Sequence, residues 1–237
     1  MAYTRFSTGN ADYVLQLGNH VAVNKQVDIF DGIDALVVET GTGRLQDFTD
    51  TTRPYHPQYK LPFQYCSDNQ IPIFGTDTRP TMGGLSRVLL SIMGISYISW
   101  HASLLMTSTV LYEGLKEKKA NEPILKLNSA LMYLLQDPVC EGRNAVNARK
   151  IEDFVAPFMA HRVRTKPRIG LIFGAFHMGL KPDLQSKRRR DITIWNWQHF
   201  NFSEWAGFVK EDLNKVHEAN YDGERWQVRE YEVIDLF

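Results

Sequence analysis

Three short runs, "DYVLQLG" (12–18), "DALVVE" (34–39) and "RIGLIFG" (168–174), constrain the fold of this chain most. Their apolar residues run on almost without the alternation that a half-solvated strand shows. Near-continuous runs need cover on both faces, and parallel sheets obtain it from their crossover helices. "IPIFGTD" (71–77) and "ITIWNW" (192–197) read as further strands, and "RWQVREYEVIDLF" (225–237) as a closing one. Helical spacing predicts a short amphipathic helix over 21–33, ending at Gly32, and a second helix over 122–136. A third is expected over 137–163, with Val146, Ile151, Phe154, Val155, Phe158 and Met159 on one face and a kink at Pro157. A fourth is expected over 203–220, capped by Ser203. Residues 40–61, rich in Gly, Thr, Pro and Asp, read as a loop. The expected fold is α/β: one domain over 1–237, a mostly parallel central sheet flanked by helices, and a helical insert over about 81–136. "VLQLGNHV…ALVVE" and "LIFGAFHMG…ITIWN" share the order strand, Gly, His, crossover, strand, as an internal duplication would leave them.

The 237 residues carry 27 Lys+Arg against 27 Asp+Glu. Zero net charge argues against a dedicated nucleic-acid binder. The two cysteines, Cys66 and Cys140, show no C-x-x-C spacing and read as free thiols in a reducing compartment. The N-terminus lacks an apolar signal core, so the expected location is the cytoplasm. Residues 88–112 contain no Asp, Glu, Lys or Arg, and their length would suit a membrane span. Their Ser and Thr content and His101 favour burial within protein, with lipid contact as the lesser alternative.

Two histidines stand just beyond strand ends: His20 after "LQLG" and His177 after "LIFG". Ligands of open α/β sheets bind beyond the carboxyl ends of parallel strands. Glu39 closes one strand and Asp77 another, so all four groups are expected on one rim. Capping, core packing or a turn at Thr78 would also account for each of them singly. Together, imidazoles and carboxylates make a plausible shell for a divalent ion, with His20, Glu39 and His177 as ligands and Mn, Co or Zn as candidates. Glu39 could instead serve as a general base.

These motifs resemble the TraB/TIKI family, of the erythromycin-esterase-like and ChaN-like superfamily. The resemblance rests on "GNH" (18–20), "VVETGTGR" with Glu39 and Arg44, "FGTDTR" with Asp77, "EGRNAVNARKI" (141–151) and "FGAFH" (173–177). The first motif is one residue shorter than the family's G-x-x-H, and Gly142 interrupts the "ERN"-like start. The resemblance implies a metal-dependent hydrolase, peptidase-like, with Glu39, Asp77, Glu141 and Arg143 as catalytic candidates. Arg44 and Arg143 would bind substrate. Arg143 would stabilise a tetrahedral intermediate or clamp a carboxylate; an ion pair with Glu141 or Glu39 is its structural alternative.

Two functional classes follow. One is a hydrolase of peptides; the other is a non-catalytic protein of the same fold that sequesters a peptide, haem or another small ligand, and homo-oligomers suit either. "KRRR" (187–190) reads as a solvated basic turn. "WNWQHFNFSEW" (195–205) reads as sheet-edge packing, with His199 a candidate haem ligand. No G-x-S-x-G elbow is present, which leaves a serine hydrolase without support.

Overall fold

The computed structural model describes residues 2–18, 27–41, 57–77, 138–174, 177–199 and 213–233. Seven strands form one sheet: β1 (Ala2–Ser7), β2 (Asp12–Gly18), β3 (Ala35–Gly41), β4 (Ile73–Asp77), β5 (Arg168–Gly174), β6 (Lys215–Tyr221) and β7 (Trp226–Glu232), in the order β1-β2-β5-β3-β4-β6-β7. The four central strands, β2, β5, β3 and β4, are mutually parallel. β1 adds antiparallel to one side, and the β6–β7 hairpin to the other. The sheet is therefore mixed with a parallel centre, and the fold is α/β.

Helices cover both faces. On one lie α2 (Pro138–Lys150), a π-helical segment (Ile151–Val155), α3 (Ala156–Val163) and α4 (Leu180–Gln185). They bury Ala148, Ile151, Val155, Met159, Leu180 and Leu184 against Tyr13, Leu15, Val37, Phe74, Leu171 and Phe173. The opposite face packs Val14, Leu36, Val38, Ile73 and Ile172 against a 3-10 turn (Asp28–Phe30) and α1 (Pro57–Asp68). The continuous apolar runs are thus explained: alternate residues enter two different cores.

The helix expected over 137–163 extends unbroken from Pro138, and Pro157 does not break it. The Ala156 N–H bonds the Ile151 carbonyl, five residues back. That wider turn sets Pro157 in the first turn of α3, where its missing N–H costs little.

Four local expectations are corrected. Residues 192–197 are not a strand: they lie in α5 (Lys187–His199), whose Arg190 and Ile194 are buried one turn apart. "KRRR" is accordingly the first turn of that helix, not a loop. Residues 215–220, expected as helix, form β6. Its Val216 and Ala219 enter opposite cores. Residues 57–61 are not loop but the start of α1, whose Tyr59, Phe63 and Cys66 bury one helical face. The second arm of the internal echo fails with 192–196, since a helix stands where it required a strand. Of the helix over 21–33, the described residues 27–33 contain one 3-10 turn, and Gly32 takes a φ of +71°. The expected helix over 122–136, the segments 81–136 and 88–112, and the cap at Ser203 lie outside the described residues. Among the described residues no helix is long and apolar enough to cross a membrane.

Candidate functional site

The parallel centre of the sheet sets the site. Gly18 of β2 and Gly174 of β5 are in-register neighbours, so the two strand ends that precede the paired histidines lie side by side. His20 itself, with Arg44, lies outside the described residues. Glu39 follows Val37 on β3 by one strand period, so its side chain leaves the sheet on the face covered by α2. The β3–β5 ladder runs from Ala35/Ile169 to Val38/Ile172. Just beyond it, the Gly174 N–H donates to the Glu39 Oε2 at 2.6 Å. A side chain thus takes over where the backbone ladder stops, and it pins the carboxylate.

The other carboxylate oxygen gathers two cationic or ionisable groups. Glu39 Oε1 lies 2.8 Å from His177 Nε2 and 3.2 Å from Arg143 Nη2. His177 is 1% exposed, against the edge of the Phe173 ring at a centroid distance of 5.3 Å. Its Nδ1 lies 2.5 Å from Asn144 Oδ1, and Asn144 is fully buried. The first half of α2 thus delivers adjacent residues to two partners, Arg143 to the carboxylate and Asn144 to the imidazole. At the far end of α2, the buried Lys150 donates to the Thr76 carbonyl at 2.9 Å, tying the helix to the end of β4.

Of the four residues expected on the rim, Glu39 and His177 come together, and Arg143 joins them from α2. Arg143 makes the ion pair with Glu39 that stood as its structural alternative, while remaining at the rim. Glu141, in the first turn of α2, is exposed. Asp77 ends β4 beside Gly41 of β3, which sets its backbone on the same rim. Sequence reasoning missed Asn144 and the Gly174 amide. Asn144 stands inside the "EGRN" motif, which was the available signal; a backbone N–H leaves none.

A ring nitrogen and a carboxylate oxygen 2.8 Å apart need either a hydrogen on Nε2 or a metal ion between them. Ligand bonds of about 2.0–2.2 Å to each would require an opening of about half an ångström. The rear of both groups is held as metal ligands usually are: the ring by a side-chain amide, the carboxylate by a backbone N–H. The pair supplies two candidate ligand atoms, on an oxygen that Arg143 also approaches at 3.2 Å. Among the described residues no group of three or more His, Cys, Asp or Glu could hold one. Compared with family models, curated proteins and solved structures, the chain finds no match in any of the three.

Proposed function

We propose that this rim is the reaction centre of a hydrolase acting on peptides, of the TraB/TIKI kind. The observation that carries the reading is the contact of buried His177 with Glu39 at 2.8 Å, beyond the carboxyl ends of parallel strands. His177 and Glu39 would hold a divalent ion, with His20 as the third ligand. Such an ion would acidify a bound water to a pKa of about 7 and so supply the nucleophile. The Gly174 N–H keeps Glu39 from rotating away, and Arg143 offers positive charge to an oxyanion formed beside it. The reading includes a helical insert over 81–136 and a cytoplasmic location.

The test joins elemental analysis to cleavage of a peptide library. We expect about one metal per chain and cleavage lost on chelation and in Glu39→Gln. Protein that takes up no divalent metal and cleaves nothing after reconstitution defeats the proposal. One observation favours the second reading, a non-catalytic binding protein: protein donors already engage both oxygens of Glu39. Saturable binding of a peptide, or of haem read by its visible absorbance, without turnover would support it.

A further inference from the structure

The chain is neutral overall, but its charge is not spread evenly. Residues 180–199, which form α4 and α5, carry five Lys and Arg against two Asp, in a chain where 27 Lys and Arg meet 27 Asp and Glu. Four of the five, Lys187, Arg188, Arg189 and Arg190, fill the first turn of α5. Cations there work against the helix macrodipole, whose amino end is positive. Two of them are answered within the fold. Arg189 Nε lies 2.9 Å from Asp183 Oδ1, and Arg190, 3% exposed, reaches Asp153 Oδ1 at 3.1 Å. Lys187 and Arg188 are exposed and have no ion pair among the described residues.

Further along, the same outward face is apolar. Ile192 is 50% exposed and Trp195 55%. Arg188, Ile192 and Trp195 are spaced i, i+4, i+7, so they form one stripe along the helix. Buried Arg190 and Ile194 mark the opposite side. Asp191 is the exposed acid beside the stripe. Cations at one end of a helix face, with an aromatic and an aliphatic side chain beyond them, are the chemistry of a helix lying in a lipid interface. An indole suits that boundary, because its ring is apolar while its N–H can stay with the headgroups.

We propose that the outward face of α5 docks this protein on an anionic membrane surface, with Lys187 and Arg188 at the headgroups and Ile192 and Trp195 in the interface. Charge complementarity selects anionic lipid over neutral lipid. A nucleic acid would answer the cations alone and leave Ile192 without a role, whereas a lipid surface answers both. Two cations and two apolar side chains give reversible attachment that salt releases. The docking does not depend on what His177 and Glu39 do at the rim.

The experiment is co-sedimentation of the full chain with vesicles of equal parts phosphatidylserine and phosphatidylcholine, and with vesicles of phosphatidylcholine alone. We expect binding to the first, its loss at high salt, and far weaker binding to the second. Each Lys or Arg near such a surface contributes about fivefold, so Lys187→Gln with Arg188→Gln should weaken binding roughly 20–30-fold. Ile192→Ser should weaken it about tenfold. With brominated acyl chains in the anionic vesicles, binding should quench tryptophan emission, and Trp195→Phe should remove most of that quenching. The double Gln variant changes only solvated charge and should melt as the wild type does, which keeps the test decisive. Failure to bind anionic vesicles, equal binding to neutral ones, or binding unchanged in the double variant overturns the proposal. So does quenching that survives Trp195→Phe, which would put another part of the chain in the lipid. Retention on heparin without vesicle binding also overturns it, and would make the patch a site for a soluble polyanion.

Discussion

Replacing Glu39 by Gln removes one charge from the centre of the rim while keeping its shape. The carboxylate faces Arg143 at 3.2 Å and His177 at 2.8 Å, and the side chains of all three are 15% exposed or less. At an effective dielectric of about 20, one pair at that first distance is worth roughly 5 kcal/mol before desolvation. Removing one partner of a largely buried pair costs about 3 kcal/mol net, because the guanidinium is left behind in a poorly solvated place. A chain of this size loses about 2–4 °C of Tm per kcal/mol, so the variant should melt about 6–12 °C lower. The Gly174 N–H contact should survive, since Gln still presents a carbonyl oxygen. Chemical denaturation of wild type, Glu39→Gln, Arg143→Met and the double variant completes a cycle whose coupling should exceed about 1 kcal/mol. Stability within about 0.5 kcal/mol of wild type in Glu39→Gln, or a coupling near zero, would refute the claim that Glu39 organises the site.

Gly170→Ala should destabilise by at least about 2 kcal/mol in denaturant titration. Its Cβ would lie 2.8 Å from Phe30, 3.0 Å from Ile33 and 3.1 Å from Leu36, in the apolar layer behind β5. Wild-type stability would show that this layer yields freely. Glu152→Ala should cost about 3 kcal/mol, because Tyr13, Thr8 and Asn10 all donate to that buried carboxylate and would lose their acceptor. A loss under about 1 kcal/mol, with far-ultraviolet dichroism unchanged, would count against a lock between the β1–β2 turn and the π-helical segment. Burial pushes the Asp183 carboxyl up to about 6, against the opposing pull of Arg189. Because the folded state holds that proton more tightly, its stability contribution is complete at acid pH. It is lost as pH rises from about 4 through 6, on the order of 2–3 kcal/mol. Asp183→Asn should flatten that part of the stability–pH curve, and an unchanged slope would reassign it elsewhere. Burial likewise raises the Cys66 thiol well above its ordinary range, so a thiol reagent should label it only on unfolding.

By itself the sequence determined the parallel centre. Strands buried on both faces cannot alternate, and β2, β3, β4 and β5 carried that mark within a residue or two of their ends. It also determined that Glu39, Arg143 and His177 stand at element ends where an α/β sheet gathers its chemistry. Tertiary structure decided the rest wherever local preference and packing disagreed. Residues 192–197 hold the β-branched and aromatic side chains that favour strands. They are helical because that turn sets Arg190 and Ile194 together against the body of the protein. β6 carries His217 and Glu218 in its middle, polar groups that disguise a strand. Glu230 of β7 meets the first, while Arg162 of α3 and Tyr231 of β7 meet the second. Asn144 stood in view inside "EGRN", but its partner did not: the contact with His177 Nδ1 exists only once α2 is laid over the ends of β3 and β5.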